Sequence, residues 1–171
     1  MRIFLLGFMG SGKSYWGRHL SQYLELPLYD LDEEIVQREG KSIASVFAEN
    51  GETYFREKEK AMLHELAAQE AFLISCGGGA PCFYDNMSFM KQQGLTIWLN
   101  PSVEVMVKRL EKKKEKRPLI KDLDHDALQA FVAQKLEERS VFYAQASLIV
   151  DPVPLNVATF AEKIKACIKP T

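Results

Sequence analysis

The 171-residue chain has little cysteine, and its three thiols (Cys76, Cys82 and Cys167) fall into no Cys-x2-Cys pair. A disulfide framework and a cysteine zinc site are thereby excluded, and no His-x3-His pair offers a substitute. Each thiol reads as a small buried or half-buried side chain. Long apolar runs are missing too: none approaches the roughly 18 residues that cross a bilayer. The opening Met1–Gly7 stretch is too short for the apolar region of a secretory leader, so the expected location is cytoplasmic. Charge of neither sign is in excess, since 22 Lys+Arg stand against 23 Asp+Glu. That balance argues against general attraction to nucleic acid or an anionic membrane, and any anion site must be local. With no repeat, low-complexity tract or linker, the length predicts one domain over residues 1–171, expected to act as a monomer.

Against these absences stand five short β-rich runs: Ile3–Leu6, Pro27–Asp30, Phe72–Cys76, Leu95–Leu99 and Ser147–Val150. Most are continuously apolar, as strands buried on both faces of a parallel sheet must be, and helix-length segments separate them. The pattern predicts an α/β fold. Helical stripes fall at Trp16, Leu20, Tyr23 and Leu24, at Phe55, Glu59, Met62, Leu63 and Leu66, and at Val103, Met106, Val107 and Leu110. Ser102, after Asn100-Pro101, is placed to cap the last of these. Beyond Arg109 the pattern breaks into Glu111-Lys112-Lys113-Lys114-Glu115-Lys116-Arg117-Pro118, which reads either as a solvated helix end or as a mobile basic flap over about 112–122.

Gly7-Phe8-Met9-Gly10-Ser11-Gly12-Lys13-Ser14 fits the phosphate-loop pattern G-x-x-x-x-G-K-[ST], and it follows a strand and opens a helix as that motif requires. Its glycines let backbone N–H groups turn inward onto phosphate oxygens at a helix N-terminus. Lys13 is placed to reach the β- and γ-phosphates and the Ser14 hydroxyl to ligate Mg²⁺, so a nucleoside triphosphate is the expected ligand. A GTP-binding switch would carry Asn-Lys-x-Asp and Asp-x-x-Gly, and neither occurs. A small-molecule kinase is the class that remains.

Candidate acceptor residues come from elsewhere in the chain. Gly77-Gly78-Gly79 follows the third strand, where absent Cβ atoms admit a ligand close to the backbone; a flexible turn is the alternative. In Asp30-Leu31-Asp32, strand alternation sends both carboxylates to one side if the strand runs through both. The alternative is an acidic helix start with Asp32 as cap. Arg56 and Glu59 are three apart on a helix, either a surface pair or a guanidinium held in place. Arg139 shares the apolar face of Leu128, Val132, Leu136 and Tyr143, so it needs an anionic partner from the protein or from a ligand.

Taken in order, the phosphate loop, Asp30-x-Asp32, Phe55-Arg56-x-x-Glu59, Gly77-Gly78-Gly79, Arg117-Pro118-Leu119 and Arg139-x-x-x-Tyr143 resemble the shikimate kinase family over nearly the whole chain. The resemblance implies a P-loop NTPase three-layer sandwich: a five-stranded parallel sheet, helices on both faces and a mobile lid. It implies transfer of phosphate from ATP to the 3-hydroxyl of shikimate, with Mg²⁺. Gly10, Ser11, Gly12, Lys13, Ser14, Tyr15, Arg109, Arg117 and Pro154 would contact the nucleotide, Arg109 and Pro154 at the adenine. Ser14 would hold the metal, with Asp30 acting through water. Asp32, Arg56, Gly77, Gly78, Gly79 and Arg139 would bind shikimate, and Lys13, Asp32 and Arg117 would act in catalysis. Two rivals remain: a kinase of another small hydroxy acid such as gluconate, and a non-catalytic nucleotide sensor.

Overall fold

The apolar runs become strands because both of their faces find cover. In the computed structural model, which describes residues 1–117 and 119–168, β1 (Arg2–Leu6), β2 (Leu28–Asp30), β3 (Phe72–Ser75), β4 (Leu95–Leu99) and β5 (Leu148–Val150) pair in the order β2-β3-β1-β4-β5. Every pairing is parallel. Alternation along β1 sends Ile3 and Leu5 to one side and Phe4 and Leu6 to the other, and all four are fully buried. Trp16 and Leu20 of α1 (Lys13–Leu24), with Phe160 and Ile164 of α7 (Val157–Cys167), cover the first side. The second is covered by α2 (Leu31–Glu39), α3 (Ile43–Ala67), α4 (Asn86–Gln93), α5 (Val103–Glu111) and α6 (His125–Tyr143). Burying one Leu or Phe is worth roughly 1.5–3 kcal/mol, so cover on both sides is what holds a short central strand in place. The three layers are those expected.

The chain leaves β1 toward one edge and later crosses back to add β4 and β5 at the other. Because β1 and β3 are neighbours in register, with Leu5 opposite Ser75, the loops that follow them lie side by side. The Cys76 N–H donates to the Leu5 carbonyl at 3.0 Å, carrying that adjacency into the loop. In a sheet of this kind a ligand cleft opens where neighbouring strands feed helices on opposite faces, and here that point is occupied by the phosphate loop and the triple glycine.

Several expectations shift by a residue or more. Pro27, Cys76 and Ser147 fall just outside their strands. Tyr23 does not join the buried stripe of α1 but is exposed. The second strand stops at Asp30, which caps α2 by accepting from the N–H groups of Asp32 and Glu33 at 3.1 and 3.4 Å. Asp32 is therefore neither a strand residue nor the cap; it sits in the first helical turn. Ser102 caps α5 as its position suggested, accepting from Val105 N–H at 3.3 Å. The long helix α3 is broken at Gly51, whose backbone is non-helical at φ 82°, ψ 173°.

In the expected lid, Pro118 lies outside the described residues, as do residues 169–171 of the expected domain. The rest of the segment is tied down at two points. Ile120 is fully buried in the core under α5 and α6, and Lys114 Nζ donates to the Leu123 carbonyl at 3.1 Å. No helix among the described residues is long and apolar enough to cross a membrane.

Candidate active site

A cavity of about 750 Å³ opens at the carboxyl edge of the sheet. It is lined by Gly10, Gly12, Lys13, Ser14 and Tyr15 at the start of α1, Asp30 and Asp32 after β2, Gly77 and Gly78 after β3, Arg109 on α5, and Arg117 and Arg139. Residues spread over most of the sequence thus share one space. Ser11, Arg56, Gly79 and Pro154 are not part of its lining.

The phosphate loop owes its shape to glycine. Gly12 is the N-cap of α1 in the left-handed region at φ 104°, where a side chain is strained. Arg109 braces the loop from α5, donating through Nη1 to the Gly10 and Ser11 carbonyls at 3.0 and 3.1 Å. Lys13 Nζ donates to the carbonyls of Gly7 at 2.7 Å and Phe8 at 3.2 Å. Burial pulls its pKa down to about 8, against the opposing pull of Asp32 and Asp30. The amine therefore sits where its charge is under-compensated, the condition in which an incoming anion is most strongly favoured. Ser11 Oγ is buried with no hydrogen-bond partner among the described residues, and it packs against Gly7 of the loop itself.

Past β3, each glycine of the triple stands against a different charged side chain. A Cβ on Gly77 would fall 2.7 Å from Asp32 Oδ1, one on Gly78 would fall 3.1 Å from Arg139 Nη1, and one on Gly79 would fall 2.6 Å from both Nη atoms of Arg56. The absent Cβ atoms thus leave room for these three side-chain ends beside the loop, while no glycine of the triple adopts a positive φ. Tyr143 hydroxyl donates to the Gly78 carbonyl and holds the loop from α6.

The two arginines differ in what they touch. Arg56 is buried, not a surface residue, and donates to Glu59 at 2.8 Å and to Glu52 at 3.3 Å. Glu59 is almost wholly buried, and desolvation raises its pKa to about 7 even beside Arg56. Arg139 lines the cavity and makes no ion pair among the described residues. Its guanidinium carbon lies 5.4 Å from the Phe8 ring centroid, a cation–π contact that holds it without neutralising it. Asp32 has its pKa raised, first by burial and then by Asp30, with Lys13 opposing.

Mg²⁺ can be tested against the donor set. Among the described residues no group of three or more His, Cys, Asp or Glu could cage a metal ion. What the cavity offers instead is the Ser14 hydroxyl with the Asp30 and Asp32 carboxylates. Few protein oxygens with room for water and phosphate is how Mg²⁺ is ordinarily bound, so the residues present fit it.

Pro154 is exposed and is not among the residues lining the cavity, which its neighbours Pro152, Val153 and Leu155 border. The cause is local: Leu155 N–H closes a turn onto the Pro152 carbonyl at 3.3 Å, and Val153 N–H donates to Asp151 Oδ1 at 3.0 Å, which leaves Pro154 on the outside of the bend. Sequence reasoning also missed the aromatic supports, Phe8 under Arg139 and Phe83 only 4.0 Å from the Arg56 guanidinium carbon. Phe83 follows the triple glycine through a 3-10 turn at Ala80–Cys82, and only that turn brings it back.

Comparison with known proteins agrees with this geometry. The family model for shikimate kinase matches residues 9–169. A shikimate kinase of Parabacteroides distasonis is 49% identical over 150 residues, 88% of this chain and 87% of the relative. The crystal structure of shikimate kinase from Bacteroides thetaiotaomicron superimposes with a TM-score of 0.90 at 40% identity, covering 97% of each chain. The Acinetobacter baumannii enzyme, solved in complex with shikimate, gives a TM-score of 0.83 at 31% identity over 96% of this chain and 90% of that one. With the motifs in order, the fold in register and the matches spanning nearly its full length, this chain belongs to the shikimate kinase family.

Proposed function

We propose that the protein transfers the γ-phosphoryl group of ATP to the 3-hydroxyl of shikimate, acting as a monomer. The observation that carries this reading is the guanidinium of Arg139, which makes no ion pair among the described residues, shares one cavity with the phosphate loop and faces Gly78. A cation with no ion pair among the described residues, set beside bare backbone, suits a small carboxylate held next to a transferable phosphate. Family membership supplies the identity of that acid.

In this reading Arg139 and Arg56 clamp the substrate carboxylate against the triple glycine, and Glu59 keeps Arg56 from swinging away. Asp32 receives a ring hydroxyl, and its raised pKa gives it the proton affinity that a base or orienting acceptor needs. Lys13 exchanges the Gly7 and Phe8 carbonyls for phosphate oxygens, and the loop amides hold the rest of the triphosphate. Arg109 and the Pro152–Leu155 turn flank the adenine. Ser14 and, through water, Asp30 would hold Mg²⁺, which when bound supplies charge neutralisation between the phosphates. Arg117 adds a cation from the lid. Little covalent chemistry falls to the protein in such a transfer, so positioning and charge stabilisation provide the catalysis.

The direct test is an ATP- and Mg²⁺-dependent mass gain of one phosphate on shikimate. Arg139→Lys tests the clamp. A lysine cannot reproduce the planar fork, so the shikimate KM should rise about 10- to 100-fold while the ATP KM moves far less. A fall in melting temperature with both KM values unchanged would instead make Arg139 a structural residue.

The lowered pKa of Lys13 has its own expected result. At pH 8 the free amine is about half neutral. Phosphate contact favours the charged form, so ATP binding at pH 8 should take up about half a proton at this site, and much less at pH 7. Titration calorimetry in buffers of different ionisation heat reads that uptake, and Lys13→Met should abolish it. Uptake that is unchanged in Lys13→Met would place the proton elsewhere.

A further inference from the structure

We infer that Gly51 is a positioning residue for shikimate binding: the break it makes in α3 builds the enclosure that aims Arg56. This rests on the reading that Arg56 holds the substrate carboxylate. Residues 47 and 55 are eight apart, and a straight helix would separate them by about 12 Å along its axis. Yet the rings of Phe47 and Phe55 are 4.6 Å apart, centroid to centroid. Both are on α3, and the one non-helical residue between them is Gly51. The break also brings Phe47 to 5.9 Å from the Arg56 guanidinium carbon, on which Phe55 at 5.1 Å and Phe83 at 4.0 Å also bear. Glu52, the first residue past the break, accepts from Arg56 at 3.3 and 3.4 Å. The guanidinium is thus enclosed by groups from both halves of α3.

Glycine is required at this point for torsion and not for space. A Cβ at residue 51 would meet nothing within 4 Å among the described residues. Its φ of 82° with ψ of 173° lies in a region that residues of L configuration scarcely enter. Inverting both signs gives ordinary extended backbone, so a D residue fits there without strain. An L-alanine would drive the break toward helical torsions, straighten α3 and pull Phe47 off Arg56. The phosphate loop and Asp32 belong to other elements and would be left in place.

The test compares L-alanine and D-alanine at position 51 in the full chain, joined by ligation at the native Ser75–Cys76 junction with a Gly51 control made the same way. L-alanine should raise the shikimate KM about tenfold while kcat and the ATP KM stay within about twofold, and D-alanine should restore the Gly51 value. An L-alanine chain that fails to fold while D-alanine folds would overturn the inference, because the break would then hold the fold and not specifically aim Arg56. A shikimate KM unaffected by L-alanine, or raised equally by both forms, would overturn it. Arg56→Lys separates this result from the reading beneath it. If Arg56→Lys leaves the shikimate KM unchanged, the carboxylate clamp fails, and the inference with it. If it raises the KM, L-alanine at 51 should add nothing in that background, and a full additional effect would show that Gly51 does not act through Arg56.

Discussion

Lys13→Ala should lower kcat by about 10³-fold, equivalent to about 4 kcal/mol of transition-state stabilisation. The residue opens α1 with its amine inside the cavity, where burial holds the pKa down to about 8. An environment that disfavours the charged amine does not depend on it for folding, so the variant should melt at the wild-type temperature or slightly above. Among the described residues Lys13 Nζ otherwise bonds only to two carbonyls of the loop, which water can satisfy in its absence. Single-turnover transfer measured beside a thermal melt checks both halves. A folded variant with near-normal kcat would remove the phosphate-loop assignment.

Arg117→Ala should cost about 10²-fold or more in kcat with only a modest rise in the ATP KM, as expected of a contact strongest in the transition state. Its guanidinium lines the cavity and lies near enough to Lys13 and Asp32 to bear on the charge of each. Lys112, Lys113 and Lys121 are exposed around it, so trypsin should cut this segment first in the free protein and slowly when both substrates are bound. If the segment acts as a lid, the buried Ile120 should serve as its pivot, since withdrawing that side chain from the core would cost roughly 1.5–3 kcal/mol. Equal cleavage with and without both substrates, or an Arg117→Ala enzyme of unchanged kcat, would take the lid out of the mechanism.

The legible parts of the site were those written in consecutive residues or in helical spacing. The phosphate loop is eight adjacent residues, and Arg139 with Tyr143 is an i, i+4 pair whose shared face follows from helix geometry alone. Asp30 and Asp32 were harder, because their roles hinge on whether the strand ends between them, and element boundaries answer to packing more than to local preference. The choice between two prolines was hard for a similar reason. Two prolines in Asp151-Pro152-Val153-Pro154 are equivalent on paper, and only the turn that closes onto Pro152 decides which one is inside.

By itself the sequence determined the α/β class, the two-sided burial of the strands, the nucleotide loop and the set of charged residues that must find partners, because periodicity and short motifs are properties of neighbouring residues. The tertiary structure alone decided which charges are already answered. Arg56 is buried against Glu59 and enclosed by aromatic rings, while Arg139 faces the cavity with no ion pair among the described residues. That difference arises from contacts between segments tens of residues apart, such as the 3-10 turn that brings Phe83 to Arg56 and the β1–β3 register that lays the glycines beside the phosphate loop. No window along the sequence contains both sides of such a contact, whereas the sheet, by ordering its strands, brings them together.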